Sequence, residues 1–221
     1  MRLILVCLGL LFAATTAHGG AWAREKGQIF IATAANLWAS DRDDEGMHYD
    51  PTFYLEYGLS ELVTVGLDYF TTDNDTVHTG FVFAQFPLGD VTGRNRFAIN
   101  FGYGAQTDFV LEFDQLLRGG LSWGYGLDNG WLAIDVSATY SKHDQIFRPK
   151  ADFTYGHNLT DRWTVMSQLQ TGDNGFENRY AQIKSGFIYG FSDNTRGSLQ
   201  ATSSIVGDAP SALRIEIWQT F

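Results

Sequence analysis

The chain has a single cysteine in 221 residues, Cys7. A disulfide framework needs paired thiols and a multi-cysteine metal site needs several, so both are excluded. Proline is scarce, 4 residues against 24 glycines. Positive charge is also short: 15 Lys and Arg face 25 Asp and Glu, for a net charge of −10. Binding of nucleic acid needs clustered Lys and Arg against the phosphates, so no nucleic-acid partner is expected. No apolar run reaches the roughly 20 residues of a spanning helix. Beyond residue 25 no window carries a helical period. Aromatic residues, by contrast, make up 15 % of the chain and hydrophobic residues 44 %. That is too apolar a composition for a disordered chain.

The longest apolar stretch is Leu3 to Ala14, preceded by Arg2 and followed by Ala17-His18-Gly19. A positive start, an apolar core of about a dozen residues and small residues before a cut read as a secretory signal peptide. The expected division is a signal peptide over 1–19 and one folded unit over 20–221, with cleavage after Ala17 as the rival. Cys7 would leave with the signal. Losing Arg2 would leave 14 basic against 25 acidic residues, or −11. Asn74-Asp75-Thr76 and Asn158-Leu159-Thr160 match a glycosylation pattern, but their composition reads as turn chemistry.

What repeats after residue 25 is alternation at period two, the mark of strands. Phe97, Ile99, Phe101 and Tyr103 alternate with small or polar residues, as do Leu132, Ile134, Val136, Ala138 and Tyr140. Short turns follow aromatic–glycine pairs at Tyr57-Gly58, Tyr125-Gly126, Tyr155-Gly156 and Tyr189-Gly190. Gly, Asn, Asp and Ser are the residues that tight hairpins need. The pattern predicts twelve strands near 26–38, 51–58, 62–71, 77–87, 95–105, 114–126, 131–141, 148–157, 162–171, 178–190, 195–205 and 210–221. The first and eleventh are the weakest, so the count ranges from ten to twelve. All four prolines (Pro51, Pro87, Pro149, Pro210) fall at the ends of these predicted strands.

An even count, strands of about ten residues and two unequal kinds of connection point to an all-β fold. That fold is a transmembrane antiparallel up-and-down β-barrel with short periplasmic turns and longer extracellular loops. A secreted β-sandwich would show similar strands. Against it, the non-apolar face carries many Gly, Ser and Thr beside its charges, as a barrel lumen does. Aromatics also cluster near the turns (Tyr57, Tyr125, Trp131, Tyr155, Trp163, Tyr189) and near the loops (Tyr69, Tyr103, Tyr140, Phe147, Tyr180), as two interfacial belts would. The chain ends at Phe221, with Leu213, Ile215 and Ile217 on the same face and Gln219 breaking the run. In this it resembles the outer-membrane β-barrel proteins of Gram-negative bacteria, whose last strand ends in an aromatic. The opening Ala21-Trp22-x-x-Glu25-Lys26-Gly27 resembles the start of the group described as phenol-degradation-pathway outer-membrane proteins. These resemblances imply an outer-membrane location, lipid and lipopolysaccharide as surroundings, and Phe221 as an insertion signal for the barrel-assembly machinery.

Twelve strands at about 4.8 Å spacing and a tilt near 40° give a backbone radius of about 12 Å, between a filled barrel and an open channel. Parity turns eleven charges inward. The basic ones are Arg118, Arg148, Lys150, Lys184, Arg196 and Arg214; the acidic ones are Glu56, Asp68, Asp135, Asp152 and Glu216. Acids dominate the second and third strands and bases the eighth to twelfth, which would set a transverse field across a pore. The same charges could instead pair across strands and close the lumen. Inward Gly102, Gly104, Gly120 and Gly124 either widen the passage or receive an adjacent aromatic.

Chemistry is hard to find. The histidine contexts lack the His-x-Ser of outer-membrane phospholipases, and His143-Asp144 is a lone adjacent pair, so no enzyme is expected. Asp73-Asn74-Asp75 and Asp41-Arg42-Asp43-Asp44-Glu45 offer oxygen ligands but lack the spacing of a calcium loop. No metal and no cofactor is expected. The expected function is a narrow passive channel for small solutes. The alternative is a plugged barrel with a structural or surface-interaction role, with 39–50 as the candidate plug.

Overall fold

The structure is a computed structural model that describes residues 20–39, 47–72, 76–107, 113–175, 179–207 and 211–221. The expected signal peptide, the acidic runs 41–45 and 73–75, and most of the expected plug lie outside these residues. Twelve strands form: β1 (Ile29–Ala39), β2 (Met47–Ser60), β3 (Val63–Thr72), β4 (Val77–Pro87), β5 (Asn95–Thr107) and β6 (Phe113–Leu127). They continue as β7 (Gly130–Ser141), β8 (Ile146–Asn158), β9 (Trp163–Asp173), β10 (Arg179–Gly190), β11 (Thr195–Val206) and β12 (Ala212–Thr220). Each pairs antiparallel with its neighbours, and β1 also pairs with β12, so the sheet closes into a barrel. Ile29 and Phe221 seal that seam with reciprocal backbone hydrogen bonds, 3.0 and 2.8 Å.

The strands run further than alternation alone predicts. β2 begins at Met47 and ends at Ser60, where the sequence pattern spans only 51–58. The end carrying both termini is joined by residues 61–62, 88–94, 128–129, 159–162 and 191–194; the opposite end by 40–46, 73–76, 108–112, 142–145, 174–178 and 207–211. They are called the short-turn and long-loop ends below.

The longer strands correct the reading of the prolines. Pro51 and Pro149 lie inside β2 and β8. Each is paired on one side only: Pro51 faces Ala35 and Pro149 faces Ala138. Pairing with the following strand starts one residue later, at Thr52 and Lys150. Proline has no N–H for a ladder, and it sits here where that ladder has not yet begun. Pro210 lies outside the described residues.

The outer wall is apolar. Val82, Phe101, Leu121 and Leu199 are each more than half exposed, which in water would be a liability and in lipid is the stable arrangement. Interfacial aromatics pack on one another near the short turns, as in Trp163 with Tyr189 at 4.7 Å between ring centroids, and near the loops, as in Tyr140 with Phe147 at 4.9 Å. Two aromatics assigned to these belts point inward instead. Trp131 is 5 % exposed and fills the space above Gly156. Tyr180 stands opposite Gly172, on the lumen side with Lys150.

Candidate functional site: the barrel lumen

Register fixes which side chains share the interior. Phe30, Ala32, Trp131, Ala133, Met166, Ile188 and Trp218 form a buried apolar cluster there, with Trp22 and Tyr54 against it. This layer lies at the short-turn end. The sequence reading describes an inward face with many Gly, Ser and Thr beside its charges; near the short turns that face also carries the large apolar Phe30, Trp131, Met166, Ile188 and Trp218.

Across the same end runs a segment that precedes the first strand. Gly27 takes a left-handed backbone, φ 84°, and Gln28 N–H donates to Glu25 O at 3.0 Å, so residues 25–28 turn back on themselves. The turn is tied to the wall by Gly27 N–H to Gly58 O at 2.8 Å and Gly58 N–H to Gln28 O at 2.9 Å. A side chain at Gly58 would collide with the Glu25 carbonyl, so only glycine allows this approach. Beyond the turn, Arg24 N–H donates to Thr64 Oγ1 on β3 at 3.0 Å. The Trp22 ring occupies the space left by Gly124 on β6. Gly20 N–H donates to Asp135 Oδ1 on β7 at 3.1 Å. Residues 20–28 therefore bar the lumen from the β2–β3 wall to the β6–β7 wall.

Arg24 is the segment's main anchor. Its Nε donates to Glu56 Oε2 at 2.5 Å, and its guanidinium carbon sits 4.1 Å from the Phe30 ring centre. Tyr54 O–H donates to the other carboxylate oxygen at 2.7 Å. The side chains of Arg24 and Glu56 are 3 % and 4 % exposed. One guanidinium nitrogen, Nη1, is buried without a hydrogen-bond partner among the described residues.

The other charges form mostly local pairs. Arg118 reaches from β6 to Asp68 on β3, Nη1 to Oδ2 at 2.7 Å, and stacks 4.2 Å from the centre of the Phe81 ring. It crosses above Gly102 and Gly104 on β5, and a side chain at Gly104 would collide with that ring. Lys150 pairs with Asp152 at 2.6 Å along one strand. Arg214 pairs with Glu216 at 2.9 Å and also donates to Asn36 at 3.2 Å and Thr52 at 3.3 Å. Arg148 pairs with Asp144 at 2.7 Å and donates to Gln106 at 3.3 Å. Among the described residues, Lys184 makes no ion pair; it stands between Gln168 on β9 and Thr202 on β11. Arg196 stands apart from the rest, level with Trp218 at the short-turn end. The acidic and basic walls inferred from strand-by-strand counting are thus corrected. Lys150 with Asp152 and Arg214 with Glu216 pair along one strand, because the pleat puts residues two apart on the same face, while Arg118 with Asp68 and Arg24 with Glu56 pair across the lumen.

Exposure differs from pair to pair. The Arg24–Glu56 pair is dry, Arg118 and Asp68 are 19 % and 23 % exposed, and Lys150 is 41 % exposed. Sequence reasoning missed Arg24, Trp22 and Gly20. A signal was available in Glu56, an inward acid on a strand with no base, but Asp68 and Asp135 share that description. At His143-Asp144, Asp144 pairs with Arg148 at 2.7 Å and the His143 backbone N–H donates to Asp114 Oδ1 at 2.8 Å.

No protein-family model matches the sequence, and no curated protein matches it either. Solved structures do match in fold. The KdgM porin in complex with disordered oligogalacturonate aligns with a TM-score of 0.65 at 8 % identity, covering 87 % of this chain and 99 % of that one. An outer-membrane channel from Pseudomonas putida F1 aligns at 0.62 and 10 % identity, covering 93 % and 100 %. The NanC porin aligns at 0.60 and 7 % identity, covering 87 % and 98 %. At such identities the likeness is one of architecture, a closed antiparallel β-barrel.

Proposed function

We propose that the chain is a narrow passive channel for small polar solutes, with its long-loop end outside the cell and its short-turn end facing the periplasm. The observation that carries this reading is the mid-lumen layer of Asp68, Arg118, Lys150, Asp152, Lys184, Arg214 and Glu216, turned inward under an apolar outer wall. Charged side chains that reach water inside a lipid-facing barrel are the means by which a pore screens solutes. The fold shared with the KdgM and NanC porins supports it. Residues 20–28 narrow the periplasmic mouth. Residues 1–19 are read as the leader; their removal would leave the Gly20 nitrogen as an ammonium beside Asp135. Phe221, exposed on the outer wall at the β1–β12 seam, is read as the handle for the assembly machinery, with lipid and lipopolysaccharide as the barrel's surroundings.

The test is single-channel recording of the refolded chain from Gly20 onward in a planar bilayer. Discrete conductance steps are expected, and Lys150→Glu with Lys184→Glu should move the reversal potential in a salt gradient toward cation selectivity. Unchanged selectivity would remove Lys150 and Lys184 from the solute path. A folded barrel that stays silent would favour the second reading, a plugged barrel with a structural role, for which the crossing segment is the specific observation.

A further inference from the structure

The seat of Arg24 has the parts of a guanidinium site. A carboxylate, Glu56, accepts in the plane of the group, and Phe30 offers its ring face 4.1 Å below it. Tyr54 O–H holds the carboxylate from its other oxygen at 2.7 Å and stacks on Phe83 at 5.6 Å, which fixes its own position. A flat cation is stabilised by such a combination of in-plane acceptor and aromatic face, and a guanidinium, unlike an ammonium, stacks flat on the ring while its planar edge meets the carboxylate. Yet the tethered occupant fits incompletely. Arg24 engages Glu56 through Nε, and its buried Nη1 has no partner among the described residues. A guanidinium free of the backbone can turn a two-donor edge to the carboxylate, the stronger arrangement.

We propose that this nest is a binding site for solutes carrying a guanidinium group, which the chain fills with its own Arg24 when the lumen is empty. It rests on the channel reading for the route by which solute arrives. A guanidinium solute that enters the lumen competes with Arg24, and its binding releases residues 20–28 from the mouth.

Calorimetric titration with methylguanidinium in detergent tests this on Arg24→Ala, in which the seat is vacated. The expected result is saturable binding that weakens at least tenfold when Glu56→Gln is added, and that methylammonium does not reproduce. No heat with Arg24→Ala, or equal heat with and without Glu56, overturns the proposal. If Arg24→Ala refolds poorly, deletion of residues 20–25 vacates the same seat and hydrates Glu56, and the same two outcomes decide. Because the readout is binding, a silent bilayer record would sink the channel reading and leave this one standing.

Discussion

Gly156 and Trp131 face each other across β8 and β7, and the missing side chain of one is the space taken by the other. A Gly156→Val substitution would drive a branched side chain into the indole. Overpacking of this kind costs about 1–3 kcal/mol, and urea unfolding of the purified barrel should show a lower midpoint for the variant. An unchanged midpoint would mean that the ring has room to move. The same pairing of a bare position with a large ring recurs at Gly104 with Phe81 and at Gly124 with Trp22. At this scale the sequence was legible wherever the pleat imposes parity: a residue two positions from a buried neighbour shares its face. Arg24 escaped because residues 20–28 are not a strand, and a segment without a period offers no face to read. Trp131 was misplaced for the opposite reason. Its nearness to a turn suggested the interface, and only register with Gly156 shows it inside.

Among the elements, the turn over 88–94 outside the membrane carries its own electrostatic lock. Asp90 Oδ1 accepts from both the Thr92 N–H and the Thr92 hydroxyl, each at 2.7 Å. These bonds, the hydroxyl first, hold the Asp90 carboxyl below its ordinary value of 3.8. A depressed carboxylate supports the folded form above its unfolded value and loses that support as pH falls through the folded one. Protection of the Thr92 amide from hydrogen exchange should therefore be intact above about pH 4 and decline below it, and Asp90→Asn should abolish the decline. A protection factor that ignores pH down to acid unfolding would exclude the lock. Strand number and order were readable because turn residues and alternation recur along the whole chain. Strand ends were less so. Near the loops the outward residues turn polar and the alternation fades, although pairing continues through positions such as Met47 and Thr107.

For the whole molecule, closure of the sheet is what gives the crossing segment its partners. Glu56, Gly124 and Asp135 belong to β2, β6 and β7, and only a curled wall brings all three within reach of nine residues. Seating of Trp22 in the Gly124 slot is consequently a late optical event. During refolding from urea into detergent, the fluorescence difference between wild type and Trp22→Phe should develop no earlier than the circular-dichroism signal of the sheet. A difference fully developed before that signal would show that seating does not wait for the wall. The same dependence makes this tryptophan a clock for barrel completion: a half-curled sheet can have its strands paired and its outer face in contact with detergent, yet it lacks the far wall on which this indole comes to rest.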